Sequence, residues 1–202
     1  MTDVGNVQAG AVGTPPVTVR PPQVVPLKGL PIVAAVVAFV IAAIAGNWLW
    51  ALTFCHVAGG ALWTAIDLFV GLVVGPIIAR LSLPARAEFA ARFMPKMVLL
   101  MPTLVLMTLA AGFQLALTLG NLSTASPNHG WLVASYCVVG VMAVIALGVL
   151  EPANIAVLFE MRKPEPDGAV IARLMRRFVV TAGVTGVMQV ATLIIMTRVA
   201  TQ

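Results

Sequence analysis

Long apolar segments separated by short polar ones dominate the chain after residue 29. The first apolar run extends from Leu30 to Ala79 and is interrupted by little more than Gly46-Asn47 and Asp67. At about 1.5 Å per residue, one helix of that length would be more than twice as long as a hydrocarbon core of about 30 Å, so the run must fold back. Gly and Asn favour turns, and the tryptophans Trp48 and Trp50 are typical of a membrane interface. We therefore predict that one helix ends near Gly46-Asn47 and that a second begins there.

The later apolar segments each have the length of a membrane-spanning helix. The predicted helices lie at about residues 30–46, 48–80, 97–120, 131–159 and 178–200. The expected fold class is an all-α integral membrane protein of five transmembrane helices, with a four-helix core bundle and an extra N-terminal helix. Continuous apolar runs argue against a membrane β-barrel, because its strands alternate in polarity.

The composition supports a membrane protein. Of 202 residues, 60% are hydrophobic and only 9% are charged, whereas a soluble domain has about 25% charged residues. Seven acids and twelve bases are too few to cover a surface that faces water. The lipid bilayer is therefore the expected partner. The net charge of +5 is spread between apolar spans and forms no basic stripe, so we expect no nucleic-acid binding.

Residues 1–28 differ in composition from the predicted transmembrane domain at 29–202. The stretch "VGTPPVTVRPPQVVP" is rich in Pro, Gly and Val and carries few charges, which predicts a flexible, polyproline-like cytoplasmic tail. A second interpretation stays open for the first helix. Ala43 and Ala45 have the spacing of a signal-peptidase site, and cleavage there would leave a four-helix protein of the same orientation.

The basic residues between the spans predict the orientation of the chain. The loop "NLSTASPNHG" between the third and fourth helices has no Lys or Arg. The two neighbouring loop regions contain Arg80, Arg86, Arg92, Lys96, Arg162, Lys163, Arg173, Arg176 and Arg177. With five spans, every basic loop falls on one side. The positive-inside rule then predicts a multi-pass cell-membrane protein with a cytoplasmic N-terminus and an exterior C-terminus.

The second predicted helix contains a polar face within an otherwise apolar stretch, "WALTFCHVAGGALWTAIDLF". Four of its residues follow one another at spacings of 4, 3 and 4: His56, Gly60, Trp63 and Asp67. These spacings place them on one side of a helix. Because polar groups are costly against lipid, this side should face the bundle. Gly59 and Gly60 remove side-chain bulk beside His56, which permits close helix contact or a flat ligand.

Three roles are open for His56. It can form a hydrogen bond across helices, with the glycines serving helix packing. It can be a ligand of haem b or of a metal such as copper. It can also relay protons. The residues alone do not decide between these roles.

The motif "HVAGGALW" resembles the first core helix of CopD-type copper-resistance membrane proteins. It is also similar to that of HemJ-type protoporphyrinogen oxidases, which share a histidine–tryptophan helix in a small four-helix bundle. The resemblance covers about residues 48–200 in helix length and loop charge. It implies that His56 is an axial haem ligand or a metal-handling residue, and that Trp63 packs beside it. The chain departs from the HemJ-type pattern after Trp63, where "TAIDLFVG" supplies Asp67, and it has fewer histidines than a CopD-type copper site.

A second group of polar residues lies in the cytoplasmic halves of the predicted helices. Asp67 is in the second helix, and Glu151 is in the fourth, with Pro152 beside it and Asn154 one turn on. Pro152 frees a backbone carbonyl one turn earlier, which favours a polar pocket. The two acids are predicted at similar depth, where they can share a proton or a cation as part of a proton or ion path. The alternative is an internal hydrogen bond that fixes helix packing.

These features give three functional expectations. The leading one is a small integral membrane haem-binding protein, or a redox or electron-transfer accessory subunit, with His56 as the ligand. The second is copper or proton transport through His56, Asp67 and Glu151. The third is a structural subunit that binds other membrane subunits of a larger complex. Whether the chain is an enzyme stays open.

In a variant without Cys55 and Cys137, we expect a cysteine placed at Ser126 to be labelled from outside the cell and one at Glu88 to be protected. Ser126 lies in the loop without basic residues, and Glu88 lies in a basic one. Labelling with a membrane-impermeant maleimide, before and after permeabilisation, measures both positions. The reverse pattern would contradict the orientation, and exterior labelling of both would contradict the number of spans.

Overall fold

The computed structural model describes residues 24–201, so residues 1–23 of the predicted cytoplasmic tail lie outside it. Five helices of the described chain are long and apolar enough to cross a membrane. They are α1 (Leu30–Ala45, preceded by a 3₁₀ turn at Leu27–Gly29), α2 (Leu49–Ala79), α3 (Leu83–Thr118), α4 (His129–Glu160) and α5 (Gly168–Ala200). The described residues contain no strand. The predicted all-α membrane fold is confirmed.

Short connections reverse the chain between neighbouring helices. The predicted turn at Gly46-Asn47 is confirmed, because Asn47 has a φ of 49°, in the left-handed region that Asn tolerates better than most residues. Asp167 begins α5 with a side chain that accepts hydrogen bonds from the backbone N–H groups of Ala169 and Val170. This cap satisfies two donors that the first turn of a helix otherwise leaves unpaired.

Two helices begin well before the predicted positions. The structure starts α3 at Leu83 rather than residue 97, and α5 at Gly168 rather than residue 178. These first turns are amphipathic: Ala90 and Met94 are buried on α3, as are Ile171 and Met175 on α5, while the opposite faces carry charges. A fall in hydropathy was therefore the wrong criterion for a helix end. The basic residues predicted to be in loops lie largely on helices, at the same end of the bundle.

Helices α2 to α5 form the core bundle, with α1 against its outer side. Each of α2 and α4 packs along the helix that follows it, α2 also packs along α5, and α3 contacts the last part of α4. In the described residues α2 has no extensive contact with α4. The first helix packs on α2 and α3 through a separate small cluster: Val40, Ala43, Ala51, Leu52, Cys55 and Ala111. The predicted division into four core helices and one extra helix is thus confirmed.

Both α2 and α4 contain a π-helical segment immediately before a proline. The segments are Val70–Val74 and Ala146–Leu150, followed by Gly75-Pro76 and Glu151-Pro152. Proline has no N–H to donate, and its ring collides with the carbonyl one turn earlier. A wider helical turn at that point accommodates the ring. In both helices the π-helical segment therefore has the same spacing from the proline that follows it.

Helices α2 and α5 are in close contact at two glycines of α2, Gly71 and Gly75. A Cβ atom on Gly71 would overlap the Cα atom of Gly183, and one on Gly75 would overlap the side chain of Val179. Small residues at helix contacts permit such an approach in membrane proteins. We call the end of the bundle at which α2 ends and α3 begins the basic end. The glycine contact lies between that end and Asp67.

We expect Gly71→Ala to lower stability by roughly 1–3 kcal/mol, because the added methyl group overpacks a contact between two backbones. Thermal unfolding of the purified protein in one detergent measures the change. Gly140→Ala is the matched control, since a Cβ atom there meets nothing within 4 Å. Equal stability of the two variants would contradict the close approach of α2 and α5.

Candidate functional site

A cavity of about 340 Å³ lies between the core helices and opens at the surface of the bundle, in the half away from the basic end. All four core helices line it, and most of its wall is apolar. Such a volume is at the lower end of the range for small-molecule sites, which are mostly apolar with a few placed polar groups. The polar groups in its wall include His56, Ser135, Tyr136 and Gln189. This cavity is the candidate functional site, and we call it the His56 cavity.

His56 is fixed by a hydrogen bond to the neighbouring helix. Its Nδ1 atom lies 2.9 Å from the backbone carbonyl oxygen of Thr108 on α3. A carbonyl oxygen only accepts, so Nδ1 must carry the proton and donate it. In the neutral ring Nε2 then has the lone pair, and no described residue forms a hydrogen bond with it. The ring is therefore held in the tautomer that leaves Nε2 available as a ligand or acceptor.

A glycine on the neighbouring helix makes the space that this ring occupies. A Cβ atom on Gly112 of α3 would lie 2.5 Å from the Cε1 atom of His56. A Cβ atom on Gly59 would lie 2.5 Å from the hydroxyl oxygen of Thr108, so Gly59 serves contact between α2 and α3. Gly60 lines the cavity. The structure thus gives the two predicted glycines different positions, and it adds Gly112.

Asp67 lies behind the wall of the His56 cavity and is only 3% exposed. Its Oδ2 atom accepts hydrogen bonds from Trp63 Nε1 at 3.1 Å, from the Thr185 hydroxyl at 3.0 Å and from Gln189 Nε2 at 2.8 Å. Trp63 and Gln189 also line the cavity. A buried carboxylate is costly unless donors surround it. Three donors on one oxygen therefore explain how α2 keeps an acid at this depth.

Gln189 extends this network into the cavity wall. Its amide nitrogen is bound to Asp67, and its Oε1 atom is buried without a hydrogen-bond partner among the described residues. A buried amide oxygen without a donor is uncommon in a folded protein. Within the described residues, the Gln189 amide is therefore paired through its nitrogen only.

The predicted face of α2 is directed into the bundle. Trp63 and Asp67 are buried, and His56 and Gly60 are half-buried in the cavity wall. Trp63 does more than pack beside His56, because its indole N–H donates to Asp67. The residues that sequence reasoning missed are Thr108, Gly112 and Thr185. Only Gly112 left a local signal, as the small residue in "LAAGF".

The structure does not join Asp67 to Glu151. Every hydrogen bond to Asp67 comes from α2 or α5, and Glu151 lies on α4, which has no extensive contact with α2 among the described residues. Asn154 is fully buried on α4, and both of its amide atoms lack partners within residues 24–201. Asp67 and Glu151 are therefore not in contact, although the sequence predicted similar depths for them.

The donor set of the cavity is small. In the described part of the chain, no three His, Cys, Asp or Glu side chains lie close enough to hold a metal ion together. His129 is the first residue of α4 and is not part of the cavity wall. Two thioethers do reach that wall, from Met142 on α4 and Met196 on α5. A ligand with its own donor atoms, such as a porphyrin, needs only one or two of these groups.

Comparison of the chain with protein-family models, curated proteins and solved structures found no match. The resemblance to CopD-type and HemJ-type proteins therefore stays a prediction based on the motif from His56 to Trp63. Function has to be inferred from the site itself.

Proposed function

We propose that this chain is a small integral membrane protein that binds haem b in the His56 cavity, and that it acts in electron transfer. One observation carries the proposal. The hydrogen bond from His56 Nδ1 to the Thr108 carbonyl leaves Nε2 at the wall of an apolar cavity. Histidines that bind metals usually donate their other ring N–H to a carbonyl or carboxylate in this way, which orients the ring and raises its basicity.

The cavity wall suits a flat, mostly apolar group. Gly60 adds no side chain to the wall, and aliphatic, aromatic and methionine side chains supply most of the rest. Met142 and Met196 line the same cavity, and a thioether from one of them would be a second protein group able to hold haem iron. Haem would supply one-electron chemistry at this position, and the apolar wall would limit the access of water to it.

Positive charge is present at the end of the bundle towards which the cavity extends. The cavity wall includes Thr197 and Ala200, near the end of α5. Between them in sequence is Arg198, whose guanidinium lies 5.8 Å from the ring centre of Trp131. An arginine near this end can pair with the carboxylates of haem. Arg198 thus complements the apolar wall and the histidine.

The proposal includes an orientation. The positive-inside rule puts the basic end in the cytoplasm of a cell-membrane protein. The N-terminus is then cytoplasmic, the C-terminus is exterior, and the His56 cavity lies in the exterior half of the bilayer. A redox partner would approach from that side.

We expect His56→Ala to abolish the b-type haem absorbance of the purified protein, because it removes the only imidazole in the described cavity wall. His129→Ala is the matched control and should keep the absorbance, since His129 does not line the cavity. Absorption spectra of protein produced with haem available measure both. Equal loss in the two variants would contradict the assignment of His56, and a haem-free wild type would remove the proposal.

A second candidate is transport of protons, or of copper as cargo, with Asp67 as the carrier. The observation behind it is the position of Asp67. It lies between the His56 cavity and the glycine contact of α2 with α5, and Gln189 and Trp63 connect it to the cavity. Buried acids in membrane spans commonly mark ion or proton pathways. Glu151 and Asn154 remain candidates for the half nearer the basic end.

We expect Asp67→Asn to abolish proton or copper flux into reconstituted vesicles if Asp67 carries the cargo, because an amide cannot take up and release a proton. The amide oxygen can still accept the hydrogen bonds of Trp63, Thr185 and Gln189, so the thermal unfolding midpoint should change little. Glu165→Gln is the control, an exposed acid in the loop after α4. Flux that is the same in wild type and Asp67→Asn would exclude the transport candidate.

A further inference from the structure

A second cavity, of about 520 Å³, lies between α2 and α5 at the basic end of the bundle. Its wall extends from Gly71, which contacts Gly183, to Ala79 at the end of α2. Its wall contains two arginines, Arg86 of α3 and Arg176 of α5, and no acidic residue of the described chain. The rest of the wall is glycine and apolar side chains. We call it the arginine cavity.

Arg86 is held in place by the end of α2. Its Nε atom donates to the carbonyl oxygen of Leu81 at 2.9 Å, and one terminal nitrogen donates to that of Ala79 at 2.6 Å. Carbonyls at a helix C-terminus lack partners within their own helix and favour a cation. These bonds use two of the five donors of the guanidinium. The others remain for a molecule in the cavity.

Arg176 is not neutralised within the described residues. It is exposed and forms no hydrogen bond or ion pair with them. The ion pairs of residues 24–201 are Arg92 with Glu88 and Lys163 with Glu160, and none of these four residues lines the arginine cavity. Two positive charges therefore share one cavity with no carboxylate in its wall.

The same cavity is apolar at its other end. Along α2 its wall extends from Ala79 back to Gly71, about 12 Å at 1.5 Å per residue. Across from these residues are Val179 and Val180 of α5, and Val180 is 57% exposed on the membrane-facing surface. A molecule that fills the cavity thus needs an anionic group near the arginines and an apolar group towards the middle of the membrane.

We propose that the arginine cavity binds one anionic phospholipid, with its phosphate on Arg86 and Arg176 and part of an acyl chain against Gly75 and Val179. The bilayer supplies such a molecule at this depth. Basic pockets between transmembrane helices bind anionic headgroups by this combination of charge and apolar wall. A free phosphate has the charge and would leave the apolar part of the wall uncovered. The proposal does not depend on haem in the His56 cavity.

Native mass spectrometry of the full-length protein, released from vesicles of equal phosphatidylglycerol and phosphatidylcholine, tests this. Wild type should retain one phosphatidylglycerol in preference to phosphatidylcholine. Arg176→Ala should weaken that retention about five-fold, the change that corresponds to about 1 kcal/mol for one basic residue at a membrane surface. Arg177→Ala is the matched control, because Arg177 is the next residue, is also exposed and does not line the cavity.

Ala172→Leu provides an independent variant that changes no charge. Ala172 lines the cavity, so the larger side chain should displace the lipid and reduce retention by a similar factor. Size-exclusion profiles show that each variant is folded. Equal retention of the two lipids by wild type would overturn the proposal, as would equal loss in Arg176→Ala and Arg177→Ala. Displacement of the lipid by excess inorganic phosphate, with no effect of Ala172→Leu, would overturn it in favour of a soluble anion.

Discussion

The contact between α2 and α5 determines the positions of both cavities. Gly71 and Gly183 bring the two backbones together, and helices in a bilayer depend on such packing because lipid provides no hydrophobic force between them. On one side of the contact, Thr185 and Gln189 bind Asp67, and Gln189 also lines the His56 cavity. The arginine cavity extends from this contact towards the basic end. One contact therefore separates a half that contains a titratable ring from a half that contains fixed positive charge.

The hydrogen bond of His56 removes a conflict between two interpretations of the sequence. A histidine that bonds across helices and a histidine that binds a ligand looked like alternatives. In the structure the bond to the Thr108 carbonyl uses Nδ1 alone, and the second ring nitrogen stays available. Nδ1 thus serves helix packing, and Nε2 is the ring atom that a ligand could bind. A structural role for His56 does not argue against a ligand, because the bond that anchors the ring also sets its tautomer.

Hydropathy and residue type were enough to predict five helices, the turn at Gly46-Asn47 and the inward-facing side of α2, because a bilayer requires long apolar helices and disfavours polar groups that face lipid. It was insufficient for the starts of α3 and α5, where amphipathic turns leave the apolar layer without ending the helix. Hydropathy also failed to identify the hydrogen-bond partners of Asp67. Counting residues gives the depth of Asp67 and Glu151 but not the direction in which each helix presents them, and Asp67 is directed to α5. Thr108 belongs to a contact between distant parts of the chain, which no local pattern encodes.

The π-helical segment of α2 has a consequence for the line along which α2 meets α5. An α-helix turns about 100° per residue, so positions four apart drift by about 40° at each step around its axis. Three positions four apart nevertheless face α5: Asp67 meets Thr185 and Gln189, Gly71 meets Gly183, and Gly75 meets Val179. The wider turn at Val70–Val74 rotates less per residue and cancels that drift. This segment therefore keeps Asp67, Gly71 and Gly75 in one line along the side of α2 that faces α5.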